Sequence, residues 1–536
     1  MDAPVGYYTQ VLGLGATPSD VTFTGQKGVY SEEGDYSIGG ALSSFWRSAE
    51  NFRTSANNKW ATGTGMMWAV SQAAPVRRIE VDNDLILFEY QPPIQAAGES
   101  SGGYMANVKV GAALRAGPAH NATLAAEAAE LGTVAPGSQQ QWFSRDCTVD
   151  GVGDGVWNMV FTGVDGAPAA HCGNVGGAPN TVVAHTPTIS EKPYVTIGAD
   201  GKYGLVVPAL KSNSHGADHG AAAAAAVVGF EHVYVATAAD SAAAINAKLG
   251  AGLHVVLSPG IYDLEAPLKL GTKGQVLLGL GLATLRPTAA TAAIEVGDVD
   301  GARVAGVLVQ AGPLIGGKRS PALIQWGETG TAFAGSASDP GFLHDVFARV
   351  GGPDGTPTSV VGADAMLVVS SGNVVGDNMW LWRADHTTGG AAYPHSGNDC
   401  DHGLVVTGDD VTMYGLAVEH TLADLTSWQG EGGRTYFYQS ELPYNVEQAE
   451  FGDKGYAGYR VAPGVKKHAA WGVGVYCFFE SHNVTTTSGI VCPPALESSF
   501  TNSLTVKLNG NGGIKHVIND KGGPAVGNLT SVAYVC

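Results

Sequence analysis

Short apolar runs separated by turn residues constrain the fold of this chain more than any other feature. Most of its 536 residues read as runs of four to seven residues rich in Val, Leu, Ile and Tyr, with Gly, Asp, Asn and Pro between them. Examples are 275–281 (QVLLGLG), 302–312 (ARVAGVLVQAG) and 409–420 (DDVTMYGLAVEH). Strands at this spacing without intervening helices are typical of a β-sandwich, a β-barrel or a parallel β-solenoid. The 76 Gly residues and the charged fraction of only 14% also favour turns over long helices.

Two features favour the solenoid among these three architectures. Apolar residues recur in steps that contain Gly, as in 304–309 (VAGVLV) and 411–418 (VTMYGLAV), which suits coils that turn at Gly between stacked strands. The clearest helix candidate, 240–252 (DSAAAINAKLGAG), begins with Asp240 as a possible cap and ends in Gly. A helix before the first coil would cover the otherwise exposed end of a solenoid.

An internal repetition indicates two related modules. The segment 11–25 (VLGLGATPSDVTFTG) resembles 277–288 (LLGLGLATLRPT), and 45–52 (FWRSAENF) resembles 381–388 (LWRADHTT), in the same order. The second module has more residues before its copy of the repeat than the first. The opening coil of the first module is therefore expected to be missing.

The boundary between the modules is predicted at a segment of low complexity. Residues 211–229 include KSNSHGADHG and an alanine run, and they are poor in strand formers. We therefore predict a first module over 1–210, a linker over 211–229 and a second module over 230–536.

The charge balance excludes several classes of partner. The formal net charge of −19 repels nucleic acid phosphates and anionic lipid headgroups. The longest nearly apolar run, 221–230, falls short of the ~20 residues that cross a bilayer, and no charged and then apolar leader stands at the start. We expect a soluble, processed chain that binds neither nucleic acid nor membrane.

Cysteines and glycosylation motifs suggest the compartment. The six Cys are an even number with no CxxC pair, which argues against a zinc ribbon. Joining neighbours in sequence predicts the disulfides Cys147–Cys172 and Cys477–Cys492, with buried free thiols as the alternative. Asn-x-Ser/Thr motifs, which are glycosylated only on a secretory route, begin at Asn121, Asn483 and Asn528. Together these features predict a secreted glycoprotein.

Several familiar motifs fail on their context. The G-x-S-x-G match at 98–102 is followed by strand-like text, whereas a nucleophile elbow leads into a helix. The segment 279–284 (GLGLAT) lacks the third glycine of a dinucleotide fingerprint. His215, Asp218 and His219 could chelate a metal, but they lie in the predicted linker. We expect no metal site and no cofactor.

The stretch 415–444 carries the most promising chemistry. It places two isolated carboxyl groups, Glu419 and Glu441, among aromatic residues: Trp428, Tyr436, Phe437, Tyr438 and Tyr444. A carboxyl group among aromatic rings loses hydration and can hold a proton near neutral pH. Such an acid, with a second polar group that orients water, is what glycosidic cleavage needs. The alternative is that Glu441 fixes a loop while the rings pack the core.

Longer motifs resemble glycoside hydrolase family 55, the β-1,3-glucanases. They are WAVSQAAPVRRIEV (68–81), ESSGGYMANVKV (99–110), PGSQQQWFSRDC (136–147), VWNMVFTGVDGAPA (156–169), TISEKPYV (188–195), GDNMWLWRADH (376–386) and YFYQSELPY (436–444). The resemblance implies an all-β fold of two tandem right-handed, single-stranded parallel β-helices of the pectin-lyase-like kind, packed side by side. It also implies exo-acting, inverting hydrolysis of β-1,3-glucans such as laminarin.

The resemblance assigns roles to individual positions. Glu441 matches the general acid and Glu419 a carboxylate that holds the attacking water. Gln72 and Ser101 match polar residues that complete the water site, with Ser100 as a rival for Ser101. The residues expected to contact sugar are Trp428, Tyr438, Tyr444 and Gln141. Both modules would contribute to one cleft.

Three further expectations concern the first coil, the function and the oligomeric state. Relatives carry another coil before the GYYTQVLGLG text at 6–15, and this chain lacks it. Two alternatives to a β-1,3-glucanase stay open: a relative that binds glucan without cutting it, and a hydrolase of a different polysaccharide. We expect a monomer, because the duplicated modules already give the chain an internal pair.

Overall fold

The chain folds into two compact units, Met1–Glu231 and His232–Cys536. The structure, a computed structural model, describes residues 1–31, 41–60, 63–91, 96–97, 100–117, 139–153, 155–173, 179–220, 226–353, 360–388, 393, 397–527 and 530–536. Short 3₁₀ helices occur at Pro18–Asp20, Phe230–His232 and Pro494–Ser499. Within the described residues, no helix has the length and apolar character to cross a membrane.

The first unit is built of short strands. They are β1 (Ala3–Pro4), β2 (Thr9–Leu12), β3 (Thr22–Phe23), β4 (Val29–Tyr30), β5 (Arg47–Thr54), β6 (Asn58–Trp60), β7 (Gly63–Met67), β8 (Val76–Val81), β9 (Asp84–Ile86), β10 (Tyr90–Gln91), β11 (Ala96–Ala97), β12 (Tyr104–Ala106), β13 (Lys109–Arg115), β14 (Gln141–Arg145), β15 (Thr148–Val152), β16 (Asn158–Thr162), β17 (Asn180–Val183), β18 (Thr186–Ser190), β19 (Tyr194–Ile197), β20 (Tyr203–Val207), β21 (Leu210–Ser214) and β22 (Ala226–Gly229).

Parallel pairing stacks these strands into coils. One ladder runs through β5, β8, β12, β14, β16 and β17, and every pairing along it is parallel. Large apolar side chains such as Phe52, Trp68 and Trp142 fill the interior of the stack. The unit is therefore a parallel β-helix.

The predicted linker 211–229 contains strand structure of the first unit. Strand β21 pairs antiparallel with β18, and β22 pairs antiparallel with β20. Between these strands, the ring nitrogens of His219 lie 3.0 Å from Glu80 Oε1 and 2.8 Å from the Asn107 carbonyl oxygen. The chain here is thus held by hydrogen bonds, and His219 is engaged in them.

The second unit has longer strands and one α-helix among its described residues. Its elements are β23 (Val233–Ala236), α1 (Ala242–Gly250), β24 (His254–Leu257), β25 (Ile261–Leu264), β26 (Leu268–Leu270), β27 (Val276–Pro287), β28 (Ile294–Val296), β29 (Arg303–Gln310), β30 (Ser320–Trp326), β31 (Gly341–Val350), β32 (Val361–Val369), β33 (Val374–Arg383), β34 (Asn398–Val406), β35 (Thr412–Glu419), β36 (Thr426–Trp428), β37 (Gly433–Glu441), β38 (Tyr459–Val461), β39 (His468–Val491), β40 (Phe500–Thr501), β41 (Ser503–Ile518), β42 (Ala525–Val526) and β43 (Ser531–Val535).

Two parallel ladders run along the second unit. One passes through β27, β29, β31, β33, β35, β37 and β39, and the other through β28, β30, β32, β34, β36 and β38. Antiparallel pairing of β41 with β42 and β43 ends the stack. The predicted all-β fold of tandem parallel β-helices is therefore confirmed.

A column of residues in the left-handed conformation bends the first of these two ladders at the same place in β29, β31, β33, β35, β37 and β39. Its members have φ between 49° and 70° and occupy equivalent register positions: Gly306, Asp345, Asn378, Gly415, Phe437 and Gly472. Only Gly, and to a lesser degree Asn and Asp, adopts this conformation without marked steric strain. The glycines in VAGVLV and VTMYGLAV both belong to this column, so the predicted turning at Gly is confirmed.

Helix α1 covers one end of the second core, as the sequence indicates. Its Ala242, Ile245 and Leu249 side chains are buried against that core. The cap is Ser241, whose side chain accepts a hydrogen bond of 3.2 Å from the Ala244 amide. Asp240 instead accepts one of 2.7 Å from the Thr237 amide in the preceding turn, so its predicted capping role is wrong.

The predicted disulfide pairings are wrong. Cys147, Cys477 and Cys492 are free, buried thiols, and burial raises the pKa of both Cys147 and Cys477 to about 12. Cys477 lies inside β39 and Cys492 just beyond its end, so extended backbone separates them where a disulfide needs close Cα atoms. Cys172 and Cys536 are disulfide-bonded.

Candidate active site

The two candidate carboxyl groups are the last residues of adjacent strands. Glu419 ends β35 and Glu441 ends β37, and they are register partners in the parallel ladder. Paired residues on neighbouring strands lie on the same face, with the strands about 4.8 Å apart. Both strands end here for local reasons, since His420 has a φ of 65° and Pro443 lacks the amide hydrogen that a ladder needs. The fold therefore places the carboxyl groups side by side.

Glu419 is buried against a tryptophan pair. The residue is 4% exposed, and its Oε2 accepts a hydrogen bond of 2.8 Å from Trp380 Nε1. The ring of Trp380 stacks on that of Trp382 with centroids 5.2 Å apart. Burial, followed by the charge of Glu441, raises the pKa of Glu419 well above its usual value. The pair resists double ionisation, because like charges this close disfavour each other.

Glu441 has the properties of a proton donor near neutral pH. Its side chain is 16% exposed, and its Oε2 accepts a hydrogen bond from the Tyr444 hydroxyl. Burial raises the pKa of Glu441 to about 7, and the charge of Asp385 adds to this rise while the Tyr444 hydrogen bond opposes it. A carboxylic acid of this kind can protonate a leaving oxygen.

A second group of titratable side chains lies beside Glu441. The His386 Nδ1 is 2.9 Å from Asp385 Oδ2, and the His420 Nε2 is 3.7 Å from both Asp385 Oδ1 and Glu441 Oε2. Burial opposes ionisation of Asp385, but His420 and His386 lower its pKa to about 2. The hydrogen bond to Asp385 raises the pKa of His386, whereas burial lowers that of His420 to about 4.

A cavity of about 310 Å³ lies beside Glu441, within the second unit. Its lining residues are Arg383, Asp385, His386, His420, Tyr444, Asn445, Phe478, Glu480 and Ser481. The cavity combines a charged carboxylate, imidazoles and two aromatic rings. Such a lining can donate and accept hydrogen bonds to hydroxyl groups and contact an apolar ring face.

Sequence reasoning assigned no role to several of these residues. Asp385 and His386 lie in the quoted motif GDNMWLWRADH, so a signal for them was present. His420 follows Glu419 directly, but nothing in the sequence shows that it points between two carboxyl groups. Its position depends on the backbone bend that follows β35.

Two predicted sugar contacts are core residues, and that part of the prediction is wrong. Trp428 and Tyr438 are both fully buried in the hydrophobic core of the second unit. The Tyr438 hydroxyl donates a hydrogen bond of 2.6 Å to the Gly458 carbonyl oxygen, and burial raises its pKa. Strand alternation turns Trp428 inward, since it shares its face with Thr426 while Ser427 points the other way. Tyr444, in contrast, lines the cavity.

The predicted water-site residues of the first unit form their own cluster. The Ser101 hydroxyl is 2.7 Å from Ser71 Oγ and 3.1 Å from Gln72 Oε1. Gln141 Nε2 donates a hydrogen bond of 2.5 Å to the Ser101 carbonyl oxygen. Gln141 is only 2% exposed, so its described contact is support of the backbone at Ser101. Ser100 is fully buried, and Ser101 is the serine that joins Gln72.

The glycosylation candidates are only partly described. Asn483 is exposed in β39. Asn121 and Asn528 lie outside the described residues. Glycosylation at all three sites stays a prediction.

Comparisons with known proteins agree with this architecture. Residues 233–441 match the family described as LAM55 pectate lyase-like domain. An exo-beta-1,3-glucanase from Streptomyces sp. SirexAA-E is 38% identical over 543 aligned residues, which cover 100% of this chain and 81% of the relative. The solved structure of sacteLam55A from the same organism superposes with a TM-score of 0.86 at 37% identity, covering 100% of this chain and 89% of that one. A variant of sacteLam55A in complex with glucose gives the same TM-score at 36% identity.

Proposed function

Because this chain belongs to glycoside hydrolase family 55 and is a glycoside hydrolase, we propose that it cleaves β-1,3-glucan by an exo-acting, inverting mechanism with Glu441 as the general acid. The observation that carries the proposal is the position of Glu441. Its pKa is raised to about 7, and it contacts two residues that line the cavity, Tyr444 and His420. A relative of this chain is named an exo-beta-1,3-glucanase, and the structure of the sacteLam55A variant contains glucose. Both support a substrate built of glucose.

In the proposed reaction, Glu441 is the general acid and Glu419 holds the attacking water. Glu441 gives its proton to the glycosidic oxygen as the bond from that oxygen to the anomeric carbon breaks. A water held by Glu419 forms the new bond to the anomeric carbon from the opposite face, and its proton passes to the Glu419 carboxylate. The reacting state therefore carries one proton on the pair. A pair whose two carboxyl groups resist double ionisation favours such a state.

Product analysis tests the proposal directly. Purified protein is incubated with laminarin, and the first products are followed by chromatography and by proton NMR of the anomeric signals. We expect glucose as the first product and the α-anomer as its initial form, because inversion converts a β-linkage into an α-anomer. A cellulose digest serves as the control for linkage.

Other outcomes would identify other functions. Longer oligosaccharides as first products would contradict exo action, and an initial β-anomer would contradict inversion. Glucan binding without release of sugar would favour the non-catalytic alternative. Activity on cellulose but not on laminarin would favour a different polysaccharide.

We further propose that Gln72 and Ser101 help to hold the attacking water. The support is their hydrogen bond and their match to the family motif. We expect Ser101→Ala to reduce kcat on laminarin about 10²-fold, the order seen when one positioned donor is lost at a reacting centre. Steady-state kinetics at saturating laminarin measures the effect.

The neighbouring serine provides the control for this variant. Ser100→Ala changes the same side chain one position earlier, where the hydroxyl does not join Gln72. We expect its kcat to stay within about threefold of the wild type. An equal loss in both variants would show a structural effect and contradict the role of Ser101.

Secretion is proposed on physical grounds. Polymeric glucan does not enter cells, so an enzyme that degrades it works outside. The disulfide-bonded Cys172 and Cys536 and the exposed motif at Asn483 support this location. Fractionation of the source culture into cells and medium would test it.

A further inference from the structure

His420 lies between the proposed general acid, Glu441, and a second carboxyl group, Asp385. Its Nε2 is 3.7 Å from Glu441 Oε2 and 3.7 Å from Asp385 Oδ1. The imidazole is 3% exposed, and its ring packs against the Tyr444 ring with centroids 4.4 Å apart. No bulk water can therefore separate the ring from Glu441.

The backbone fixes the direction of the ring. The His420 amide donates a hydrogen bond of 2.8 Å to the Glu441 carbonyl oxygen, and its own carbonyl accepts one of 3.2 Å from Arg383 Nη1. Its φ of 65° lies in the left-handed region, where a residue with a Cβ is sterically strained. Strain of this kind at a cavity wall is often connected with function.

The hydrogen bond on the other ring nitrogen settles the tautomer. His420 Nδ1 is 3.3 Å from the Leu442 carbonyl oxygen. A carbonyl oxygen only accepts hydrogen bonds, so Nδ1 carries the hydrogen. In the neutral ring, Nε2 then presents a lone pair toward Glu441 and Asp385.

We propose that His420 is a positioning residue that keeps the catalytic proton on Glu441 by presenting an unprotonated Nε2 to its Oε2. A lone pair at this place disfavours negative charge on Oε2, while the ring excludes water that would hydrate the carboxylate. Since Tyr444 already donates to Oε2, the proton is held on Oε1, where it is free to move to the glycosidic oxygen. The inference rests on the proposed function of Glu441 and deepens it.

Burial favours a neutral His420 ring at the pH of catalysis, although most of its charged neighbours are acidic. These neighbours are Arg383 at the end of β33, Asp385 and His386 just after it, Glu419 at the end of β35, Glu441 at the end of β37, Tyr444 just after it, and Glu480 in the cavity lining. The pKa of His420 is lowered to about 4. Burial is the main cause, Arg383 and His386 act in the same direction, and Asp385 opposes them. Below about pH 4 the ring would instead donate from Nε2 and draw the proton off Glu441.

The test compares pH profiles of kcat/KM on laminarin. In the wild type the basic limb is expected near pH 7, because the acid form of Glu441 is lost above it. The variant His420→Asn keeps a residue that tolerates the left-handed backbone. It removes the ring and admits water to Glu441. We expect its basic limb to move about one pH unit lower, so that its rate at pH 7.5 is about 30-fold below its rate at pH 5, against about fourfold for the wild type.

A matched variant separates this effect from general damage. His386→Asn also removes a histidine that contacts Asp385, but this residue has no described contact with Glu441. Its basic limb is expected to stay at the wild-type pH. A uniform loss of activity in His420→Asn, with its basic limb unmoved, would overturn the proposal.

A second measurement needs neither a variant nor activity. Neutron diffraction from a deuterated wild-type crystal at pH 6 is expected to show deuterium on His420 Nδ1 and none on Nε2. Deuterium on Nε2 would overturn the proposal even if His420→Asn fails to fold. Absence of laminarin hydrolysis by the wild type would contradict the proposed function instead, so the two failures are distinguishable.

Discussion

Replacing Glu441 with Gln is expected to reduce kcat on laminarin about 10³-fold while leaving the fold intact. A positioned general acid contributes roughly 10²–10⁴-fold to a rate, and Gln has no acidic proton to donate. The Gln amide has nearly the shape of the carboxyl group and can still accept a hydrogen bond from the Tyr444 hydroxyl. Steady-state rates of reducing-sugar release measure the loss, and circular dichroism checks the fold.

A carboxyl group that lines the neighbouring cavity provides the control. Glu480 lines the cavity but is exposed. Its carboxylate is in contact with water, whereas the Glu441 side chain is only 16% exposed. We expect Glu480→Gln to retain activity within about fivefold of the wild type. Full activity of Glu441→Gln would remove the acid assignment, and an equal loss in Glu480→Gln would show that the cavity charge as a whole is at issue.

Replacing Trp428 with Ala is expected to destabilise the second unit by about 3–5 kcal/mol, the usual cost of removing a buried aromatic ring. The Trp428 ring is fully buried, with the His468 ring 5.0 Å away, and a Cβ built on Gly433 would lie 2.7 Å from it. Such close packing leaves a cavity that the surroundings cannot refill. Urea unfolding followed by far-UV circular dichroism measures the change.

The KM for laminarin distinguishes a core residue from a sugar subsite. At a temperature where the variant remains folded, we expect Trp428→Ala to bind laminarin with the wild-type KM. Tyr203→Ala removes a ring that is 52% exposed and serves as the stability control, with an expected change below about 0.5 kcal/mol. A raised KM with unchanged stability would restore Trp428 as a subsite residue.

The fold was predictable because its signals are local in the sequence. Glycines at 306 and 415 mark bends that the left-handed backbone requires, and Ala242, Ile245 and Leu249 give the helix its buried face. Each of these features needs only a few neighbouring residues. The internal repetition added the two modules, and the family resemblance added that each is a right-handed parallel β-helix.

The site was predictable only in part because its remaining features depend on register. Glu419 and Glu441 stand out among aromatic residues, but the sequence does not show which rings turn inward. Trp428 and Tyr438 are predicted as sugar contacts because the sequence does not show which face of a strand each side chain occupies. That face depends on where the strand begins. His420 was missed for a similar reason, since its direction comes from a backbone bend.

The predicted cysteine pairing is wrong because it also depends on the path of the chain in space. Distance along the chain is a poor guide to distance in space when each coil returns to the same axis. Cys477 and Cys492 are close in sequence, but β39 passes between them from the ladder of β37 to the ladder of β38. The disulfide-bonded residues, Cys172 and Cys536, are far apart in the sequence.

The left-handed column restricts how this enzyme can change length during evolution. Adding or deleting one residue inside a strand of the first ladder would move its bend out of line with the coils above and below. It would also reverse which side chains face the interior along that strand. Growth and loss of residues are therefore favoured in the turns between strands, such as the turn after Glu441. Strand β27 is the exception, because it carries extra residues between Leu278 and Ala283 at the bend itself. The wall of the cavity can thus change in sequence and length while the coils beneath it stay the same.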